Sequence, residues 1–331
     1  MKNPKKQKYV SIKKNLFKKK KAEIKNILFS FSFSLFRTER KIKKSKQTNK
    51  KMNVINHYGD TAFDGNKWIQ FLTDYADYAI YIAILYLGFV FWAPYYIEKY
   101  FIITPGWVRG VKRAWVVWNL LLSIFSLYGT LNISPYFIKN MTTLGPKETL
   151  CVRRAEETIK GRIGLCMALF AVSKLPEFGD SFFLILSGKK KLAFLSWFHH
   201  VTIFLYSWYA YQQQSSIFIV IAAMNYFVHT VMYLYFALAE AGYGRYIKPF
   251  AMYITIIQIL QMIGGLTMTS MTMYYKHQAE AAGDYKACEG ASWAVCRGQM
   301  GIYITNMYLF SEMFLKTYVW KTRDNGSQKK K

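Results

Sequence analysis

The stretch LAFLSWFHHVTIFLYSWYAYQQQSSIFIVIAAMNYFVHTVMYLYFALA, residues 192–239, runs for 48 residues without an Asp, Glu, Lys or Arg. A helix needs about 20 apolar residues to cross a hydrocarbon layer ~30 Å thick, so this run holds two crossings. Its polar interruption, YAYQQQSS at 209–216, reads as the turn between them. Working outward, the stretches 78–97, 114–138 and 249–275 are also free of formal charge. The whole chain is 53% hydrophobic and 18% aromatic, more apolar surface than a soluble core of 331 residues could bury. The pattern predicts an all-α, polytopic membrane protein of seven transmembrane helices, at 78–97, 114–138, 163–187, 192–209, 217–239, 249–275 and 298–320. Two of these are interrupted by charge, one by Lys174, Glu177 and Asp180, the other by Glu312 and Lys316.

The net charge of +27 resembles a nucleic-acid signal until it is divided along the chain. Residues 1–51 hold 19 Lys and Arg against Glu23 and Glu39, a balance of +17, which leaves +10 for the other 280. Like-charge runs of this kind are disordered and bind anionic lipid headgroups. Residues 1–51 therefore read as a basic extension, or as sequence upstream of a true start at Met52, with 52–331 as the folded domain. No nucleic-acid partner is expected.

With seven crossings, the joints at 98–113, 189–191 and 240–248 share one face with the tail 321–331. Their Lys and Arg content makes that face, and the C-terminus, cytoplasmic. The basic first segment would then fall on the far side, which favours the Met52 start. Four cysteines, with no CxxC pair and no zinc spacing, argue against thiolate metal chemistry.

Ionisable groups inside a membrane span are costly and mark function. Four clusters qualify: Lys174-Leu-Pro-Glu177-Phe-Gly-Asp180, His199-His200, Asn225-Tyr-Phe-Val-His229-Thr-Val-Met-Tyr233, and Thr255-Ile-Ile-Gln258-Ile-Leu-Gln261. Asp180 lies nine residues before Lys189, His199 eight after Lys191, His229 eleven before Glu240, and Gln258 nine after Pro249. At 1.5 Å per residue these depths all fall at about 12–17 Å, one level of the bundle. Asn225, His229 and Tyr233 also share a helix face through their i, i+4, i+8 spacing. Pro176 breaks its helix between Lys174 and Glu177, which is tolerated at depth only against a cavity or partner.

Each cluster also has a blander meaning. A single buried His can be a structural hydrogen-bond partner, and Lys174 with Glu177 or Asp180 can be a register-fixing ion pair. A di-iron oxidase needs more imidazole than His199, His200 and His229 supply, since His57 and His277 lie outside the spans. A transporter using these groups as a proton relay, or a seven-helix receptor, stays open at this point.

The ordered motifs resemble the ELO family of very-long-chain fatty-acid elongases, the 3-oxoacyl-CoA synthases. Residues 174–180 match its KxxExxD box, 194–200 its histidine box, 225–233 its NxxxHxxMY box and 255–258 its TxxQ box, over about residues 85–320. The family's histidine box is HxxHH, and here its first position is Ser196. The resemblance implies a seven-helix endoplasmic-reticulum membrane enzyme that condenses long-chain acyl-CoA with malonyl-CoA to 3-oxoacyl-CoA, CoA and carbon dioxide. It implies no metal and no cofactor. As partners it implies the bilayer and other enzymes of the elongation cycle, with a homodimer as an option.

The expected catalytic residues are His199, His200 and His229. Neutral imidazole is a competent acyl acceptor near pH 7, and His199 is the expected nucleophile. Lys174, Glu177, Asp180, Asn225, Tyr233 and Gln258 are the expected support, with Asn225 and Gln258 as amide donors to oxyanions. Lys189, Lys190, Lys191, Arg245 and Lys248 are candidates for CoA phosphates, or plain topology-setting charge. Cys151 pairs with either Cys288 or Cys296 across the lumenal loops. Asn140-Met-Thr142 is a glycosylation sequon set close to a span, and the tail Lys329-Lys330-Lys331 resembles a dilysine retrieval signal.

Overall fold

The computed structural model describes residues 62–320, and its elements there are helical apart from one isolated bridge between Asp64 and Lys160. The extension 1–51, the Met52 start, His57 and the lysine tail lie outside the described residues. The principal helices are α1 (Asn66–Asp74), α2 (Ala76–Tyr100), α3 (Pro105–Thr143), α4 (Gly161–Ser173), α5 (Gly179–Leu186), α6 (Phe194–Gln212), α7 (Phe218–Leu238), α8 (Ala251–Ala281) and α9 (Trp293–Phe314).

Among the described residues, three stretches are long and apolar enough to cross a membrane: Ala76–Tyr100, Pro105–Thr143 and Phe218–Ala281. The last is a double length, because the chain folds back on itself at a π-helical turn, Ala239–Tyr243. Gly242 makes the bend with φ 95°, a left-handed conformation that a Cβ would strain. α3 is far longer than the charge-free stretch inside it. Its 39 residues span about 58 Å, and Thr104 caps it by accepting from the Trp107 N–H at 3.1 Å, with Pro105 at the first turn.

The stretch expected as the third crossing is broken. α4 ends at Ser173, a 3-10 turn covers Pro176–Phe178, and α5 resumes at Gly179. Proline has no N–H for the preceding turn, so the helix stops where Lys174 and Glu177 need to leave its surface.

α7 is the central pillar, with fourteen of its 21 residues buried. Hydrogen bonds key it to its neighbours: Ser123 of α3 donates to the Thr230 carbonyl at 2.9 Å, and Tyr226 donates to the Cys166 carbonyl of α4 at 2.8 Å. The outer face of α2 is the reverse, with Tyr81, Ile84, Leu85 and Trp92 more than half exposed. In a membrane such a face meets lipid rather than water.

Contacts between loops define two ends. At one, Cys151 and Cys288 form a disulfide, the Gly290 N–H reaches the Cys151 carbonyl at 2.9 Å, and the Ser216 N–H reaches the Gly290 carbonyl at 2.8 Å. The Cys151 alternatives thus resolve to Cys288, and Cys296 is a buried free thiol. Asn140 is buried within α3, unsuited to carry a glycan. At the other end, Lys190 pairs with Glu98, and Lys112 with Glu240 at 3.2 Å. The basic joints expected to share a face therefore do.

Candidate active site

Near the Glu240 end, a cavity of about 520 Å³ opens between α5, α6, α7, α8 and α9. Its walls include Asp180, His199, His200, Asn225, His229, Tyr233 and Gln258, from segments far apart in sequence. Thr317 and Tyr318 stand with Glu240 among its lining residues. Ser196 also lines it, where one more imidazole would narrow the space beside His199 and His200.

Behind the wall lies a charge pair. Lys174 Nζ donates to Glu177 Oε1 at 2.6 Å and to Asn225 Oδ1 at 2.8 Å. Lys174 is 2% and Glu177 4% exposed, so each charge depends on the other. The helix break after Ser173 turns both inward. Glu177 Oε1 also lies 3.5 Å from His229 Nδ1, an electrostatic contact rather than a short hydrogen bond. The His229 ring stands edge-on to Tyr233, centroids 5.2 Å apart.

Tyr233 donates to Asp180 Oδ2 at 3.1 Å, and His200 Nε2 lies 3.9 Å from the same oxygen. Adjacent positions on a helix point about 100° apart, so His199 turns elsewhere, toward α9. There its Nδ1 meets Asn306 Oδ1 at 2.9 Å, and Asn306 Nδ2 donates to the Ile302 carbonyl at 2.9 Å. The second bond fixes the amide, so Oδ1 is the acceptor and His199 Nδ1 carries the proton. His199 Nε2 keeps its lone pair.

The neutral donors are set as well. Asn225 spends its oxygen on Lys174, which leaves its Nδ2 for the cavity. Gln258 Nε2 rests on the Met232 sulfur at 3.2 Å, a weak acceptor that a better one displaces. Among the described residues no three His, Cys, Asp or Glu side chains converge as metal ligands.

With this geometry in view, the comparisons are specific. The model of the ELO family, described as GNS1/SUR4, matches residues 71–326. The chain belongs to the ELO family. It is 40% identical over 288 residues to Fatty acid elongase 1 of Trypanosoma cruzi (strain CL Brener), covering 81% of this chain and 97% of that protein. Against Fatty acid elongase 1 of Trypanosoma brucei brucei (strain 927/4 GUTat10.1) the identity is 43% over 255 residues, 73% of this chain and 82% of the relative. Very long chain fatty acid elongase 6 of Homo sapiens is 31% identical over 262 residues, 79% and 92% of the two chains. This ELO protein is thus a multi-pass membrane enzyme of fatty-acid elongation, of the very-long-chain condensing type, and the carrier alternative is not favoured.

In this elongase Lys189, Lys190, Lys191, Arg245 and Lys248 sit in the joints at the Glu240 end, exposed and outside the cavity wall. Lys190 is already paired with Glu98. Asn306 is the site residue that sequence reasoning missed. A signal existed, because Gln299, Tyr303, Asn306 and Phe310 form a buried stripe at helical spacing on α9. Asn306→Leu removes the partner that sets the His199 tautomer and lowers turnover by about 10–100-fold, with primer KM little changed. Asn306→Asp keeps an acceptor and recovers part of the loss, as initial rates in membranes will read out.

Proposed function

We propose that the elongase condenses acyl-CoA with malonyl-CoA through an acyl group carried on His199. One observation carries this reading: Asn306 holds the Nδ1 proton, so a neutral imidazole with a free Nε2 lines the cavity. Nε2 attacks the thioester carbonyl, the C–S bond breaks, and CoA leaves as the thiolate and takes up a proton. The acyl-imidazolium keeps its Nδ1–H on Asn306. Malonyl-CoA then loses carbon dioxide, and the enolate carbon attacks the acyl carbonyl. The C–N bond breaks, which returns neutral His199 and releases 3-oxoacyl-CoA.

The other groups serve these steps. Asn225 Nδ2 and Gln258 Nε2 donate to the oxygens on which charge develops. His229, held by Glu177, and His200, facing Asp180 and Tyr233, orient the acceptor or pass protons beside it. Lys174 keeps Glu177 ionised and Asn225 aimed. No metal or redox group is required by this sequence of steps.

The finer organisation follows the same reading. Seven crossings fit the helices, with α4 and α5 together as the third and α9 as the seventh, and residues 1–51 as a basic extension of the domain 52–331. The mouth lies at the end carrying Lys189, Lys190, Lys191, Arg245 and Lys248, a bias that supports a cytoplasmic mouth and C-terminus. The exposed bases there meet the CoA phosphates. We place the enzyme in the endoplasmic reticulum membrane, beside the other enzymes of the cycle, with a homodimer as an arrangement to test. Membranes containing the chain, given labelled malonyl-CoA and an acyl-CoA series, yield labelled 3-oxoacyl product. Absence of product with every primer, from folded protein, contradicts the reading.

A further inference from the structure

The cavity around His199 has polar residues at two levels. The histidines, Asn225 and Gln258 form one, and Ser196, Glu240 and Thr317 stand nearer the joints at the Glu240 end. Ser196 is the third residue of α6, about 4.5 Å closer to that end than His199. Its hydroxyl differs from those of other helix serines here. Ser173 and Ser187 donate to carbonyls three residues back, Phe170 and Leu184, at 2.8 Å each. For Ser196 the equivalent carbonyl is Ala193, which accepts the Ser196 N–H at 3.0 Å instead. Among the described residues the Ser196 hydroxyl bonds to nothing, and its residue lines the cavity with a donor and an acceptor free.

Three side chains of one helical turn meet at this point. His199 follows Ser196 by three positions and His200 by four, so each lies about 5–6 Å from Ser196 at Cβ. The two imidazole centroids are 5.7 Å apart. A gap of that size between polar groups takes one water, bonded on both sides at roughly 2.8 Å. His200 Nε2 also lies 3.9 Å from Asp180 Oδ2, the oxygen that accepts from Tyr233. A carboxylate at that distance balances the charge on His200 when it takes up a proton. A small side chain at 196 keeps this place open.

We propose that this elongase has a second activity, hydrolysis of acyl-CoA to free fatty acid and CoA, in which Ser196 positions the attacking water. The proposal rests on acyl transfer to His199. With malonyl-CoA absent, water is the nucleophile left beside the acyl-imidazolium. Held by Ser196 Oγ and the His200 imidazole, it attacks the acyl carbon; a C–O bond forms and its proton goes to His200. The tetrahedral centre collapses, the C–N bond breaks, and the electron pair returns to His199 Nε2. Fatty acid leaves, and His200 gives its proton to solvent. Atoms and charge balance with water as the one co-reactant. Malonyl-CoA and water thus compete for a single intermediate, and the supply of malonyl-CoA divides it between elongation and release.

The test counts both fates of the same acyl group. Purified full chain in detergent receives hexadecanoyl-CoA in heavy-oxygen water, with and without malonyl-CoA. Fatty acid carrying one heavy oxygen forms without malonyl-CoA, and its yield falls as 3-oxoacyl-CoA appears. His199→Gln loses both products. Ser196→Ala keeps the space but removes one hydrogen bond to the water, and lowers the ratio of fatty acid to 3-oxoacyl-CoA by about two- to tenfold. Ser196→His fills the water's place and lowers it further. Because the ratio is set on each acyl-enzyme, loss of folded protein does not move it. Condensation with no fatty acid above the His199→Gln background overturns the second activity and leaves acyl transfer to His199 standing. Fatty acid that His199→Gln still releases, or a ratio that both Ser196 variants leave unchanged, overturns it as well. Folded protein that yields neither product contradicts acyl transfer and the hydrolysis together.

Discussion

His199→Ala loses condensation by about a thousandfold or more, the scale expected when a nucleophile is removed from a constellation that acts as a unit. The loss falls on turnover, because the apolar cavity and the CoA contacts still bind primer. His199→Gln sharpens the result. Its amide can still meet Asn306, so α6 and α9 stay joined, yet it offers no imidazole lone pair. Both variants are compared with the unmodified chain in membranes, per mole of folded protein, with labelled malonyl-CoA. His200→Ala and His229→Ala leave the acyl acceptor in place and retain more activity than His199→Ala. A His199→Ala enzyme within tenfold of the parent removes this residue from the mechanism.

The second large effect concerns stability. Lys174→Met leaves the Glu177 carboxylate buried at 4% exposure with no cation beside it. Breaking one side of a buried pair costs about 3–5 kcal/mol, much of it from the charge left behind. That is a large part of the 5–15 kcal/mol by which domains are stable, so little folded protein survives extraction. Lys174→Met combined with Glu177→Gln removes both charges and recovers most of the folded yield. The double variant then divides structure from chemistry. If Glu177 only balances Lys174, activity returns with the fold; if its charge holds His229 for the reaction, the protein folds and stays slow. Thermal melting of solubilised protein checks the first half, and product formation the second. A Lys174→Met protein as stable as the parent contradicts the pairing argument.

Much of this arrangement could be read from residue order because depth in a bundle is a count of residues. Distance from the charged joints puts Asp180, His199, His229 and Gln258 at one level, and all four line one cavity. Pro176 likewise announced the break that turns Lys174 and Glu177 inward. What escaped depends on contacts that counting does not supply. Asn306 is one of two amides on α9, and its partner is 107 residues away. The buried hydrogen bonds of Gln299 to Tyr206 and Thr269 join residues 93 and 30 positions apart, with no motif to mark them. Sequence alone leaves Cys288 and Cys296 as equal partners for Cys151, and the loop contacts single out Cys288. The ends of α3 are hidden because Arg113 and Lys139 close the charge-free stretch 114–138 before the helix ends.

The most direct test of the mechanism withholds malonyl-CoA. Purified protein is mixed with an acyl-CoA alone, quenched in seconds, digested and examined by mass spectrometry. An acyl group on the peptide containing His199, absent from His199→Gln and discharged as 3-oxoacyl-CoA when malonyl-CoA is added, is the predicted result. Labelled product with no acyl-histidine at any time, or the adduct on another residue, contradicts it.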